Sequence, residues 1–206
     1  MRRRVRLAAS FAGILALVAC GAGTPSGGPS HTSSHPSKTS VSVAPSLVAK
    51  ADLAPCPSTK KAGAGTSGKR LPAVTVPCLG KGPAVRLGAL RGPMVINLWA
   101  TWCGPCREEV PVFQKLHESA GSRVPVLGID FQDTSPEAAL SFLVDAKAHY
   151  PSVFDGSGDT QAAVGSSGGL PVTLFVDRSG RITHRKVGPY TSLHQLEADV
   201  RAHLDG

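Results

Sequence analysis

The sequence predicts an α/β fold in which a mixed β-sheet forms the middle layer of a three-layer sandwich. Two nearly continuous apolar runs, residues 94–100 and 124–129, are typical of strands that are covered on both faces. Each run is followed by a stretch with apolar residues at helical spacing. Near the C-terminus, residues 172–176 and 181–187 flank a turn and indicate an antiparallel hairpin. Strands that alternate with helices in this way place helices on the faces of the sheet.

The other elements are expected within residues 71–206. Residues 73–76 and 85–87 flank a Gly-Lys-Gly-Pro turn and predict an added N-terminal β-hairpin. Ser135 and Ser192 stand where N-cap residues are preferred, and each precedes a stretch of apolar residues at helical spacing. The remaining expected elements are a helix that begins after Cys103, a short strand at residues 153–154 and a weak helix over residues 160–164.

The first 20 residues are predicted to carry an export signal. Four arginines precede the uncharged run 7–20, which is short for a bilayer-spanning helix of about 20 residues. A charged start followed by a short apolar run predicts a secretory signal peptide, residues 1–19. The run ends in Leu-Val-Ala-Cys, which resembles a bacterial lipobox and implies cleavage before Cys20 and lipidation of its sulfur. A plain signal peptide with an incidental Cys20 is the alternative.

Residues 20–70 are predicted to be a lipidated cysteine followed by a flexible linker. Ser, Thr, Gly and Pro make up 19 of the 30 residues from 21 to 50. Such a stretch buries too little apolar surface to offset the entropy that is lost on ordering. It would tether a domain that comprises residues 71–206 to the membrane.

The charge distribution argues against nucleic acid as a partner. The chain has a formal charge of +8, but residues 1–70 hold 10 of the 22 basic residues and one acid. Residues 71–206 hold 12 basic and 13 acidic residues. A domain that is close to neutral has no general attraction for phosphates.

The five cysteines divide into three expected roles. If Cys20 carries a lipid, four remain, and Cys103 and Cys106 are spaced as a C-x-x-C redox pair. Cys56 and Cys78 are then predicted to form a structural disulfide, which suits an oxidising compartment. A zinc site made of the four sulfurs is the alternative, but the spacing of the distant pair does not fit a zinc knuckle. No metal is therefore expected.

The segment around Cys103 makes the prediction specific. Residues 97–106 read Asn-Leu-Trp-Ala-Thr-Trp-Cys-Gly-Pro-Cys and resemble the active-site strand and turn of thioredoxin. Pro111 matches the kink in the thioredoxin helix, and residues 169–173, Gly-Leu-Pro-Val-Thr, resemble the cis-proline loop. Together with the lipobox, the Arg-Glu-Glu-Val-Pro continuation and an insert near residues 136–165, these motifs are similar to the exported TlpA/ResA/DsbE-like branch. The resemblance implies a thioredoxin fold and thiol-disulfide oxidoreductase activity.

The start of a helix is a favourable place for a reactive cysteine. Unpaired amides and the positive end of the helix dipole favour the thiolate, which is the nucleophilic form. Cys103 is predicted to be the exposed attacking thiolate, and Cys106 the buried one that resolves the mixed disulfide. Gly104 and Pro105 keep the turn between them tight, and Trp102 is expected to shield the site.

Substrate binding is expected around the redox pair and at the loop that precedes the predicted strand 172–176. The residues assigned to it are Trp102, Gly104, Pro105 and Leu170. The resemblance implies that Pro171 is cis and that the backbone of Leu170 pairs with an extended substrate. An ordinary loop proline is the alternative. Trp99 is also expected to shield the site, with core packing as its alternative.

Glu109 is a candidate for proton transfer. Thioredoxin has a buried Asp where this chain has Asn97, so that acid is absent from this chain. In the resembled branch, a Glu three residues after the second cysteine lies by the site, and Glu109 matches it. Glu109 could take the proton of Cys106 or tune its pKa. A solvated Glu in the first helical turn is the alternative.

The expected function is that of a membrane-tethered, extracytoplasmic thiol-disulfide oxidoreductase that carries no cofactor. The Gly-Pro dipeptide between the cysteines resembles that of reducing thioredoxins, at about −270 mV. It favours reduction of disulfides in exported proteins, including apocytochrome c before haem attachment. The electrons would come from a membrane dithiol protein. A disulfide-forming oxidase is one alternative, and a copper-binding assembly module is another, although no feature aims His184 at Cys103.

Overall fold

The computed structural model describes residues 41–59, 70–165 and 169–204. In chain order, the helices and strands of these residues are α1 (Pro45–Ala51), β1 (Thr75–Val76), β2 (Val85–Arg86), β3 (Met94–Trp99), α2 (Gly104–Ala120), β4 (Val126–Phe131), α3 (Pro136–Asp145), β5 (Ser152–Asp155), α4 (Gln161–Val164), β6 (Val172–Val176), β7 (Ile182–Val187) and α5 (Leu193–Leu204). A 3₁₀ turn, Leu87–Ala89, follows β2.

Five strands form one mixed sheet in the order β5–β4–β3–β6–β7. Central β3 pairs in parallel with β4, and β4 pairs in parallel with β5. On the other side, β6 pairs antiparallel with both β3 and β7. All residues of β3 and β4 are buried, as expected for strands that are covered on both faces.

Helices α2, α3 and α5 cover one face of the sheet. The crossovers β3–α2–β4 and β4–α3–β5 run in the same direction, so right-handed connections place both helices on the same side. Their core includes Val95, Phe113 and Leu140. The pair β1–β2, the 3₁₀ turn and α4 cover the opposite face, over a second core that includes Leu87 and Ile96. The predicted three-layer α/β sandwich with a mixed sheet is confirmed.

The N-terminal hairpin is shorter than the sequence suggested. β1 and β2 pair antiparallel over two residues each and form a separate two-stranded sheet. After β1, the chain pairs with the main sheet instead: Cys78 forms an isolated bridge with Val153 of the edge strand β5. The segment between the two short strands is therefore attached to the edge of the main sheet.

The predicted linker is wrong for the part of the chain around α1. This helix packs against α3, and Ala51 and Leu53 are 0% and 2% exposed. Cys56 follows and is joined to Cys78 by a disulfide. The reason lies in the composition, because 16 of the 19 Ser, Thr, Gly and Pro residues within 21–50 precede residue 41. The segment after them supplies an apolar face that the domain can bury.

The predicted signal peptide, residues 1–19, and Cys20 lie outside the described residues. Within the described ranges, no helix has both the length and the apolar character that crossing a bilayer requires.

Leu53→Ala is expected to lower the free energy of unfolding by about 2–4 kcal/mol, because it deletes a buried side chain and leaves a cavity. Urea denaturation measures this change. Lys50→Ala alters an exposed residue of the same segment and is the control, with an expected change below about 0.5 kcal/mol. A Leu53→Ala variant as stable as the control would show that this segment is not docked on the domain.

Candidate active site

The two cysteines of the C-x-x-C motif lie where β3 ends and α2 begins. Cys103 is the N-cap of α2, and its Sγ accepts a hydrogen bond from the amide of Cys106 at 3.2 Å. The two residues form a disulfide. Cys103 is 6% exposed and Cys106 is fully buried. A partner thiol can therefore approach Cys103 alone, although Cys103 is less exposed than the sequence suggested.

The surroundings of Cys103 favour a thiolate. An N-cap side chain meets the free amides of the first helical turn, where the helix dipole is positive. Pro105 lies in this turn and has no N–H, so the amide of Cys106 is the donor that reaches the sulfur. Gly104 and Pro105 are exposed. The turn between the cysteines is thus open to a partner.

The two tryptophans have different surroundings. Trp99 is fully buried, and its ring centroid lies 5.3 Å from that of Phe142 in α3. Its position is that of a core residue rather than a shield. Trp102 is 59% exposed, and its Nε1 donates to the carbonyl of Gln132 at 3.3 Å. It offers an apolar surface beside Cys103.

Pro171 lies at the same end of the sheet as the cysteines. It precedes Val172, which pairs with Leu98 near the end of β3. The peptide bond between Leu170 and Pro171 is cis, and Leu170 is partly buried against both cores. Val187 of β7 pairs with Val172 and is 47% exposed. This end of the sheet therefore carries an exposed apolar residue that the sequence analysis did not identify.

Glu109 is buried on α2, three residues beyond Cys106. Its Oε1 accepts a hydrogen bond from Nδ2 of Asn97 at 2.6 Å, and its Oε2 accepts one from the amide of Tyr190 at 3.1 Å. The Oδ1 of Asn97 accepts from the hydroxyl of Tyr150 at 3.3 Å. Glu109 has no exposed surface. The alternative prediction, a solvated Glu in the first helical turn, is therefore wrong.

Burial raises the pKa of Glu109 from 4.5 to about 7. The hydrogen bonds from Tyr190 and Asn97 and the positive charge of Lys186 act in the opposite direction. The loss of solvation outweighs these three favourable contacts. A carboxyl group that titrates near neutral pH can both accept and release a proton there.

Sequence reasoning missed the residues that hold Glu109. In the sequence, Asn97 marks only the absence of the acid that thioredoxin has at this position. A polar residue inside the apolar run 94–100 nevertheless indicates a buried partner, because a buried amide needs a hydrogen bond. No sequence pattern marks Tyr190. It reaches the site because the loop after β7 folds back onto α2, where its ring packs edge-on against Phe113 at 6.0 Å.

The disulfide between Cys56 and Cys78 lies on the other side of the sheet. Both residues belong to the core opposite to α2 and are 4% and 8% exposed. Cys103 and Cys106 belong to the core on the α2 side. The two disulfides are therefore separated by the sheet.

The described residues do not bring together three His, Cys, Asp or Glu side chains in a way that could hold a metal ion. His184, the copper ligand considered from the sequence, stacks on His203 with 3.9 Å between the ring centroids. It also packs on Phe175.

Residues 66–200 match the family model described as Redoxin. The thiol:disulfide interchange protein DsbE homolog of Paracoccus denitrificans is 38% identical over 102 residues, which are 48% of this chain and 52% of that protein. The thiol-disulfide oxidoreductase ResA of Bacillus cereus is 30% identical over 132 residues, covering 63% of this chain and 74% of that protein. The crystal structure of a DsbF homologue from Corynebacterium diphtheriae has a TM-score of 0.55 at 26% identity, covering 67% of this chain and 90% of that chain.

The matched region thus spans about half the length of the Paracoccus relative. The similarity to DsbE-like and ResA-like proteins that the motifs predicted is confirmed, and so is the thioredoxin-like fold.

Glu109→Gln is expected to remove a pH dependence of stability. The folded wild type keeps the Glu109 proton up to about pH 7, whereas the unfolded chain releases it near 4.5. The resulting stabilisation is complete below pH 4.5 and is lost as the pH rises to about 7. Across this window, the free energy of unfolding of the wild type should fall by roughly 3 kcal/mol more than that of the variant.

Urea denaturation between pH 4.5 and 7 measures this difference. Glu108→Gln changes an exposed neighbour on α2 and should follow the wild type. Parallel curves for the wild type and Glu109→Gln would contradict the raised pKa.

Proposed function

The chain belongs to the redoxin family, and we propose that it is a thiol-disulfide oxidoreductase that acts on exported proteins. The observation that carries the proposal is the Cys103–Cys106 disulfide at the N-terminus of α2. One of its cysteines reaches the surface, and the other is buried near a carboxyl group whose pKa is about 7. Each feature of this arrangement has a use in disulfide exchange.

The reaction proceeds in two exchange steps when the pair is reduced. The Cys103 thiolate attacks a sulfur of the substrate disulfide, which forms a mixed disulfide and releases one substrate thiolate. Cys106 then loses its proton and attacks the Sγ of Cys103. This closes the Cys103–Cys106 disulfide and releases the second substrate thiolate. Two electrons pass from the protein to the substrate.

Glu109 is the proposed acceptor of the Cys106 proton. Both residues are fully buried, so water does not take up this proton directly. The hydrogen bonds from Asn97 and Tyr190 stabilise the charged carboxylate, while burial stabilises its protonated form. A pKa near 7 lets Glu109 hold the proton during exchange and then pass it to the released substrate thiolate, which restores the carboxylate.

The substrate is proposed to bind at the end of the sheet that carries the cysteines. Trp102 and Val187 are exposed there, and Pro171 precedes the strand that lies between β3 and β7. A polypeptide in extended conformation can pair with the backbone at Leu170 and place its side chains on these apolar groups. Unfolded exported proteins offer such segments, and apocytochrome c before haem attachment is one of the proposed substrates.

The proposed direction is reduction. Gly104 and Pro105 form the dipeptide of reducing thioredoxins, whose potential is about −270 mV. The sequence holds no nicotinamide or flavin fingerprint, so the pair must be recharged by exchange with another dithiol. A membrane protein that carries electrons outward is the proposed donor, and a lipid on Cys20 would keep both proteins at the same membrane.

Exchange of Cys103 and Cys106 for serine distinguishes their roles. Cys103→Ser should reduce the rate of insulin disulfide reduction at least about 100-fold, because it removes the attacking sulfur. Cys106→Ser should accumulate mixed disulfides with insulin, which non-reducing gels and mass spectrometry detect. The double variant Cys56→Ser/Cys78→Ser is the control and should retain exchange. Trapping by Cys103→Ser instead would reverse the assignment.

The reduction potential tests the direction. Equilibration of the Cys103–Cys106 pair with glutathione redox buffers is expected to give a value below about −230 mV, as a reductant requires. The fraction oxidised can be followed by mass spectrometry of the alkylated peptide. A potential near about −120 mV would identify a disulfide-forming oxidase instead.

A further inference from the structure

The loop after β4 holds the turn that carries Cys103. The Oδ2 of Asp133 accepts a hydrogen bond from the amide of Thr101 at 2.7 Å, and the carbonyl of Gln132 accepts one from the indole of Trp102 at 3.3 Å. The two residues that directly precede Cys103 are thus bound to two consecutive residues of another loop. Asp133 is 5% exposed, so water competes little for its carboxylate.

This loop has an unusual backbone. Gln132 has a φ of 53°, a left-handed conformation that residues other than glycine seldom adopt. Its amide donates to the carbonyl of Asp155 at 2.9 Å, and its side chain lies against Gly158. Such a conformation persists where the surroundings define it, and it is often associated with function. In this loop, the left-handed conformation of Gln132 directs its own carbonyl and the carboxylate of Asp133 toward the turn before Cys103.

A second acid lies behind Asp133. Asp130 on β4 is fully buried, and no donor in the described part of the chain reaches its carboxyl oxygens. Its side chain lies within hydrogen-bond reach of the Asp133 carboxyl. Burial, Asp133 and Asp155 together raise the pKa of Asp130 to about 9. At neutral pH, Asp130 is therefore neutral. A neutral Asp130 does not repel the carboxylate of Asp133 from its place on the Thr101 amide.

We propose that Asp133 is a positioning residue for the attacking cysteine. Its carboxylate fixes the Thr101 amide, so that Cys103 stays at the N-cap of α2 and its sulfur meets the amide of Cys106. This hydrogen bond measures 3.2 Å in the disulfide form, and after reduction the same amide would stabilise the Cys103 thiolate. The role rests on the proposed function, since it concerns the cysteine that performs the exchange.

A positioning role and a purely electrostatic role of Asp133 predict opposite shifts in the pKa of Cys103 when Asp133 is removed. If Asp133 acted only through its negative charge, its removal would favour the nearby thiolate and lower the pKa of Cys103. If Asp133 acts through the Thr101 amide, its removal lets Cys103 leave the N-cap position, and the pKa of Cys103 rises. The two roles can therefore be distinguished by the direction of one titration.

The experiment measures the pH dependence of Cys103 alkylation in the reduced full-length protein. Iodoacetamide is the probe, and mass spectrometry of the Cys103 peptide gives the rate. Asp133→Ala should move the midpoint of the alkylation curve upward by at least about half a pH unit. At a pH below both midpoints, this shift lowers the fraction of Cys103 thiolate about threefold. Asp133→Asn keeps an oxygen acceptor and should stay within about 0.2 units of the wild type. Asp133→Leu replaces the alanine variant if the latter does not fold.

Asp177→Ala is the matched control. Asp177 also caps a turn, since its Oδ1 accepts from the amides of Ser179 and Arg181 at 2.8 and 2.9 Å. It belongs to the β6–β7 turn, at the opposite end of the sheet from Cys103. Its removal should lower stability without moving the midpoint. An equal shift in this control would assign the effect of Asp133 to general loosening and overturn the proposal.

A lowered or unchanged midpoint in Asp133→Ala would also overturn it, because the hydrogen bond to Thr101 would then not determine the position of Cys103. Alkylation requires no substrate. If the wild type failed to reduce insulin, the proposed function would fail while the positioning role could still be measured.

Discussion

The complete burial of β3 is the constraint on which the site depends. β3 pairs with β4 on one side and β6 on the other, and all of its residues are buried. Because β3 is paired along both edges and covered on both faces, the position of its last residue is fixed. The turn that follows therefore starts at a fixed point as well, and α2 begins with Cys103 at its N-cap. The alternation of side chains along β3 also directs Asn97 toward α2, where it binds Glu109.

Two buried acids near this turn differ because their partners differ. Glu109 receives hydrogen bonds from Asn97 and Tyr190, which stabilise its charged form, and its pKa is about 7. Asp130 receives none in the described ranges and faces two other acids, and its pKa is about 9. Equal burial thus produces one group that can exchange a proton at neutral pH and one that stays protonated.

The two faces of the sheet serve different purposes in this fold. The α2 side contains the redox cysteines, Glu109 and the helices that bury them. Short elements, namely β1, β2, the 3₁₀ turn and α4, cover the opposite side. There the disulfide between Cys56 and Cys78 links the segment after α1 to the chain after β1. A covalent link suits such a cover, because elements of two to four residues bury little apolar surface of their own.

Local sequence was sufficient for the features that depend on neighbours in the chain. The apolar runs predicted β3 and β4, Ser135 predicted the start of α3 through its hydrogen bond with the amide of Ala138, and the C-x-x-C spacing placed two cysteines at a helix start. These patterns are readable because strand alternation, helical spacing and capping act over a few residues. The same patterns, together with residues 169–173, predicted the family.

Features that depend on distant residues became defined only in the folded chain. Glu109 could have been solvated, and it is buried because the loop that carries Tyr190 folds over it. Trp99 and Trp102 stand three residues apart, yet contact with α3 buries the first while the second is exposed. The composition of the segment around α1 predicted a linker, but α1 packs against α3 and is therefore part of the folded domain. Burial is a property of the assembled layers, so no local pattern fixes which polar group lies inside them or how far its pKa is shifted.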